Sequence, residues 1–267
     1  MVTLALSSDQ LSAMHGLIDR IRARQLQDFG QIASDTKPDG TLITECDRWS
    51  DAEIVSGLAS IAPGEGVLSE EGSTAVPASR AYWVVDPLDG TTNFAAGIPC
   101  WAISIARFVD GRPSEVFLDV PALNQRFVAL RGRGVTRNNE PLTPETRSTV
   151  TSGCVSLCSR SIRVLQRKPD QRFPGKIRLF GVASLNLVSV GLGQTVAALE
   201  STPKLWDLAA AWLLLDELGC PIRWLQTDPA QLQVGQEVSQ LGFPMLAAAS
   251  WSQLAKILPW GEELIRS

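Results

Sequence analysis

Histidine is all but missing from this chain: His15 is the single one in 267 residues. That scarcity excludes an imidazole-based triad and any His-rich metal centre, and His15 itself falls in an amphipathic helical stretch, where it reads as a surface or packing residue. Cysteine is sparse too. Cys46, Cys100, Cys154, Cys158 and Cys220 are scattered and odd in number, which favours buried thiols over a disulfide framework. Cys154 and Cys158 lack the second ligand pair that a zinc site requires. Nor is there a strong excess of either charge: the formal net charge is -4 and the pI about 5.2, so no uniform basic field exists to track a nucleic acid. No apolar run reaches the roughly 18 residues of a membrane span, and even Leu205 to Leu215 is broken by Asp207. The opening Met1 to Leu6 has no basic flank and runs into Ser7-Ser8-Asp9, unlike a secretory signal. These absences predict a soluble, cytoplasmic protein with neither a nucleic-acid nor a membrane partner.

What is present suffices for a large core. Apolar residues make up 45% of the chain, and the length fits one big domain or two closely packed halves. Leu11, Met14, Ile18 and Ile21 recur at helical spacing behind a Ser7-x-x-Gln10 capping box. A second helix is expected after the Lys37-Pro38-Asp39-Gly40 turn, opened by the box Thr44-x-x-Asp47 and burying Trp49, Ile54, Val55 and Leu58. From Val67 short β-rich runs take over, at 67–69, 82–85, 102–109, 115–120 and 126–130, with hairpin turns at Asp110-Gly111 and Asn138-Asn139. This predicts an α+β half with an antiparallel sheet. Beyond about Thr149, strand-like and helix-like segments alternate at 150–155, 162–166, 177–180, 185–192, 195–199 and 206–218, as in an α/β half. The expected subdomains are 1–148 and 149–267, sharing a cleft.

The densest chemical signal is Trp83-Val84-Val85-Asp86-Pro87-Leu88-Asp89-Gly90-Thr91-Thr92-Asn93-Phe94, a β-run ending in an acidic, glycine-containing turn. Strand ends collect functional residues, although Asp-x-x-Asp-Gly alone also suits an ordinary turn. Glu70-Glu71-Gly72 closes the preceding β-run, and Asp207 opens a very apolar helix where it also fits a cap. Glu70, Asp86, Asp89 and Asp207 brought into one cleft would repel, each pair by on the order of 4 kcal/mol at 4 Å and an effective dielectric of 20. Cations are therefore implied. An all-oxygen ligand set selects hard ions such as Mg²⁺ or Mn²⁺, and two such ions bridged by carboxylates can clamp a phosphoryl group.

These motifs resemble the inositol monophosphatase family of Mg²⁺-dependent, lithium-sensitive phosphomonoesterases. The first family signature is similar to Trp83 to Phe94 with its continuation through Gly97-Ile98-Pro99 to Ser104-Ile105, and the second to Trp206-Asp207-Leu208-Ala209-Ala210. Lys37 to Thr41, Thr44 to Asp47, Glu70-Glu71-Gly72 and Gly132-x-Gly134 with Asn138 follow the family pattern in order along nearly the whole chain. The resemblance implies a layered α-β-α-β-α sandwich and usually a homodimer. It further implies that Glu70, Asp86 and the backbone carbonyl of Leu88 hold one Mg²⁺, that Asp86, Asp89 and Asp207 hold a second, and that a weaker third leans on Glu70. By the same resemblance Thr91 and Glu70 orient the attacking water, Gly90 and Thr91 hold the phosphate through their N–H groups, and Glu200 accepts hydrogen bonds from substrate hydroxyls.

Departures from the family pattern fall on the substrate side, at Val182, Val196, Ala211 and Leu218-Gly219-Cys220. The sugar-facing pocket is thus not standard, and inositol 1-phosphate is one candidate within the expected class of polyol or sugar phosphates. Histidinol phosphate, fructose 1,6-bisphosphate and nucleotide 3′-phosphates are the alternatives, as is a catalytically weak regulatory homologue. A glycosidase using Glu70 and Asp86 as its acid pair would leave Asp207 and the Asp89-Gly90-Thr91 turn without a role.

Overall fold

The computed structural model describes residues 5–37, 40, 42–143 and 153–266. Helix α1 (Ser8–Asp28) starts at the expected capping box: the Ser7 hydroxyl accepts the Gln10 N–H, and the Gln10 amide oxygen accepts the Ser7 N–H. Two short strands, β1 (Ser34–Thr36) and β2 (Leu42–Thr44), pair antiparallel before α2 (Glu45–Ile61). The Thr44–Asp47 box forms as well. Cys46, Ser50, Ile54 and Leu58 make the buried stripe of α2, and Trp49 packs at its edge. Val55, expected inside, is exposed. At 3.6 residues per turn it lies about 100° round the helix from Ile54, outside the stripe that Cys46, Ile54 and Leu58 define.

The large sheet contains β3 (Gly66–Ser69), β4 (Ala81–Asp89), β5 (Ala102–Val109), β6 (Arg112–Val120), β7 (Gln125–Leu130), β8 (Val135–Arg137) and β9 (Glu140–Leu142), hydrogen-bonded in that order. Only β3 and β4 run parallel; the other pairs are antiparallel. Both predicted hairpins are tight turns with positive φ at each central residue, Asp110-Gly111 and Asn138-Asn139, as right-handed strand twist demands of a two-residue loop. Between β4 and β5 lies the short helix α3 (Thr91–Ala95).

The second half begins with β10 (Cys154–Leu157). The strand expected from residue 150 has its first part, like the expected boundary at 148/149, outside the described residues. A 3-10 turn (Ser159–Ile162) leads into α4 (Arg163–Arg167), then β11 (Lys176–Arg178), α5 (Ala183–Gly191), β12 (Ala197–Glu200), α6 (Leu205–Glu217), β13 (Ile222–Trp224), β14 (Met245–Ala248) and α7 (Trp251–Ile265). Segment 162–166, expected within the alternation, is helical, and the strand expected over 177–180 is shorter and starts earlier. The five strands order as β11-β10-β12-β14-β13, with β10 parallel to both its neighbours.

Alternation along the strands sorts side chains into three apolar layers. Trp83, Val85, Ile103, Ile105 and Phe117 face α1 and α2. Tyr82, Val84, Ala102 and Ala106 face the opposite way, onto α5 and α6, which also receive Ala198 and Ala247 of the smaller sheet. Ala197, Leu199, Leu246 and Ala248 face outward onto α4 and α7. The order helix, sheet, helix, sheet, helix is the expected five-layer sandwich. Ten small or apolar residues of α6, from Leu205 to Leu215, are buried between the sheets, which accounts for its nearly all-round apolar sequence. Among the described residues no helix is long and apolar enough to cross a membrane.

The placement of α2 separates two neighbouring residues energetically. Ile54→Ala should cost about 2–5 kcal/mol, and Val55→Ser should change stability by about 0.5 kcal/mol or less. Urea denaturation of the two variants checks this, and similar losses for both would contradict the assignment of the stripe.

Candidate active site

Strand β4 is buried along its whole length and carries the acidic turn into the interior of the cleft. Asp86 and Asp89 are three residues apart, so in a regular strand their side chains would leave on opposite faces. The pairing with β5 shifts between them: Asp86 opposes Ser104 and Asp89 opposes Ala102, three residues against two. That bulge adds one residue to β4 and returns both carboxylates to the same side, where both line one cavity of about 510 Å³.

Parallel pairing of β3 with β4 places Glu70 beside them, its N–H donating to the Val85 carbonyl at 3.2 Å. From the other half, Asp207 enters in the first turn of α6, where it accepts the Lys204 N–H at 2.8 Å. Carboxylate oxygens of Glu70, Asp86 and Asp207 all lie within 4.8 Å of one another. Asp89 lines the same cavity with its oxygens taken by the Ala183 N–H at 3.3 Å and the Ser184 N–H at 2.7 Å, the first turn of α5. The positive end of that helix is thus aimed at an acid of the opposite half. Glu70 and Glu71 share the Lys37 ammonium at 2.8 and 2.6 Å.

The electrostatic signature is of charge held out of water. Burial, then Glu70, Asp89 and Asp207, push Asp86 well above the ordinary carboxylate range. Burial, then Asp89 and Glu70, do the same to Asp207. Burial raises Asp89 to about 6 against its hydrogen bonds from Ser184 and Ala183, and raises Glu71 to about 7 against the Lys37 bond. Three convergent carboxylates, Glu70, Asp86 and Asp207, with no nitrogen or sulfur among them, fit a hard divalent cation, and Leu88 lines the same cavity.

Gly90 joins β4 to α3 at φ 104°. A Cβ there would fall 2.8 Å from Val182 Cγ2 and 3.3 Å from the Cys100 carbonyl, so both conformation and packing restrict the position to glycine. Thr91 donates its hydroxyl to Asp47 Oδ1 at 2.7 Å and lies 3.2 Å from the Leu88 carbonyl. Asp47 was legible as a helix cap only, yet its two oxygens divide the work: Oδ2 takes the Thr44 N–H and hydroxyl, and Oδ1 takes Thr91. The signal available was its place in Thr44 to Asp47, a segment already matching the family pattern.

A second cavity of about 350 Å³ adjoins the first and shares Asp89, Arg160, Gly181, Thr202 and Asp207 with it. Glu200 lies in its wall, only 2% exposed, accepting the Asn186 amide at 2.7 Å. Burial holds its carboxyl well above the usual range. It therefore does not end its strand in solvent. Of the departures from the family pattern, Val182 reaches this cavity; Val196 packs into the outer core, and Ala211, Leu218 and Cys220 into the central one. Those substitutions are matters of packing.

A model of the inositol monophosphatase family matches residues 10–254. The chain belongs to that family. Histidinol-phosphatase of Mycobacterium tuberculosis is 34% identical over 226 residues, covering 80% of this chain and 86% of that protein. Among solved structures, an IMPase of Thermotoga maritima superposes with a TM-score of 0.78 at 24% identity, over 96% of this chain and 99% of that one. An IMPase/NADP phosphatase complexed with Mg²⁺ and phosphate gives 0.75 at 24% identity, over 92% and 94%. Family membership makes the chain a phosphoric monoester hydrolase.

Raised carboxyl pKa values have a definite consequence for the metal-free protein. Between the ordinary carboxylate range near pH 4 and the values of about 6 for Asp89 and about 7 for Glu71, the folded state binds more protons than the unfolded chain, so stability falls as pH rises through that window. With a chelator present, the thermal midpoint should be lower at pH 8 than at pH 5. A midpoint that rises instead would contradict the electrostatics described.

Proposed function

We propose that this cleft hydrolyses a small phosphomonoester, a polyol or sugar phosphate, with Mg²⁺ as cofactor. The observation that carries the reading is the meeting of the Glu70, Asp86 and Asp207 oxygens within 4.8 Å of one another, beside a threonine hydroxyl already held by a buried aspartate. Glu70, Asp86 and the Leu88 carbonyl would hold one ion, Asp86, Asp89 and Asp207 a second, and Glu70 would support a third; Mn²⁺ would substitute. Bound ions of this kind supply Lewis-acid neutralisation of phosphoryl charge and make water a nucleophile at neutral pH.

The chain's own groups do the rest. Because the Thr91 hydroxyl proton points to Asp47, the Thr91 oxygen offers lone pairs to a water in the cavity and fixes its orientation. Glu70, which lines the same cavity, accepts the second hydrogen bond of that water and assists its deprotonation. The Gly90 and Thr91 N–H groups, where β4 turns into α3, are the assigned donors to the phosphate oxygens. With the phosphate there, the ester oxygen and its leaving group face the second cavity, where the buried carboxyl of Glu200 and the Asn186 amide take substrate hydroxyls. Pairing two subdomains, 1–148 and 149–267, across the cleft suits this division, since the first carries most of the acids and the second carries Asp207 and Glu200. The proposal extends to a cytoplasmic homodimer.

Asp86→Asn and Asp207→Asn keep shape while removing charge, so each should abolish nearly all Mg²⁺-dependent phosphate release from inositol 1-phosphate. More than about a tenth of wild-type turnover in either variant would refute the metal assignment. The role given to Glu200 makes a separate prediction: Glu200→Gln should lower kcat/KM for the preferred polyol phosphate about 10- to 100-fold, the value of a charge-assisted hydrogen bond, and leave p-nitrophenyl phosphate nearly unchanged. Equal falls for both substrates, or none, would remove Glu200 from the substrate site.

A further inference from the structure

Among the described residues, the ring through which the two cavities open into each other contains one cation, Arg160. It stands on the 3-10 turn after β10 and donates from one guanidinium nitrogen to the Thr202 hydroxyl at 2.9 Å. Thr202 belongs to the loop after β12, the parallel neighbour of β10. The contact therefore ties together two adjacent strand ends on the side where ligands of α/β sheets collect.

The cations of the first cavity differ from Arg160 in what they already hold. Lys37 is engaged by Glu70 and Glu71, and Lys204 donates to the Ser239 carbonyl at 2.5 Å. Among the described residues Arg160 has no carboxylate within ion-pair distance, and Thr202 takes only one of its five N–H donors. Among the described residues Arg160 is also the only cationic side chain in the lining of the second cavity, whose other titratable acids are Asp89, Glu200 and Asp207. Arg160 is therefore the cationic partner that this lining offers an anionic substituent.

We propose that Arg160 binds a second anionic group on the substrate's leaving portion, so that the enzyme prefers phosphomonoesters bearing a further phosphate or a carboxylate over otherwise similar neutral alcohol phosphates. The assignment rests on the phosphatase reading above and narrows it. A guanidinium presents a planar fork that matches the oxygens of either anion. Gly90 and Thr91, assigned to the scissile phosphate, line the first cavity alone, whereas Arg160 stands in the ring that the second cavity shares. Glu200 and Asn186 remain available deeper in the cavity for hydroxyls.

Two matched pairs test this and separate the two anions: fructose 1,6-bisphosphate with fructose 1-phosphate, and 2-phosphoglycerate with glycerol 2-phosphate, each assayed for phosphate release with Mg²⁺. For fructose 1,6-bisphosphate, release from the first carbon is followed by the appearance of fructose 6-phosphate. Wild type should favour at least one doubly anionic member over its partner. Arg160→Gln should lower kcat/KM for that member about 10- to 100-fold, mainly through KM, and change its partner less than about threefold. Arg160→Lys should recover part of the loss. Equal falls for both members would show that Arg160 serves the scissile phosphate, and no fall in either would show that it serves neither; each outcome overturns the assignment while p-nitrophenyl phosphate hydrolysis keeps the phosphatase reading intact. Absence of release from every ester, p-nitrophenyl phosphate included, would overturn both together.

Discussion

Mutual repulsion among desolvated carboxylates is the constraint around which the cleft is organised. Glu70, Asp86, Asp89 and Asp207 come from three different stretches of chain, and each would sit more favourably in water than beside the others. The fold offsets this locally and unequally. Asp89 receives two N–H groups from the first turn of α5, Asp86 receives the Leu88 N–H at 3.0 Å, Asp207 receives the Lys204 N–H, and Glu70 has the Lys37 ammonium. None of these donors removes the charge. They hold each oxygen in position, so that a divalent cation finds the ligands already oriented, with little ordering left to do on binding.

The same donors connect the two halves of the molecule. Asp89 belongs to β4 and its donors to α5, and the Asn93 amide donates to Cys100 within its own half and to the Phe180 carbonyl in the other, at 2.9 and 2.8 Å. Close packing of Gly90 on Val182 completes the seam. The departures from the family pattern are consistent with this economy: Val182, Ala211, Leu218 and Cys220 pack into the central apolar layer and Val196 onto the outer one, where volume and shape matter and charge does not. The pocket that looked unusual in the sequence also takes Ser159, Arg160, Asn186 and Thr202 into its lining, polar residues outside the family motifs.

How much could be read in advance depended on whether the determinant was local. Capping boxes at Ser7 and Thr44, the turns at Asp110-Gly111 and Asn138-Asn139, and the alternating strands of the large sheet are all decided by neighbours within a few residues, and all formed as expected. The bulge that aligns Asp86 with Asp89 is a property of the pairing with β5, invisible in β4 alone. The second use of Asp47 and the position of Arg160 between the cavities likewise depend on contacts across 44 and 42 residues of sequence. The final strand and helix went unrecognised for a different reason. Met245 to Ala248 is too alanine-rich to show a strand preference, and Pro259 inside α7 argues against a helix that packing nonetheless sustains. Ser250 with Gln253 was the cap signature that would have disclosed it.

Asp47 has a consequence that reaches beyond geometry. One oxygen of this side chain closes the first turn of α2 and the other holds the hydroxyl of Thr91, so the end of a structural helix and an atom assigned to the reaction are a single mechanical part. Fraying of that turn, an ordinary and inexpensive fluctuation at any helix terminus, would let go of the threonine at the same moment. Thermal softening of turnover would then set in well below the temperature of global unfolding, and evolution could not loosen or tighten the one without the other.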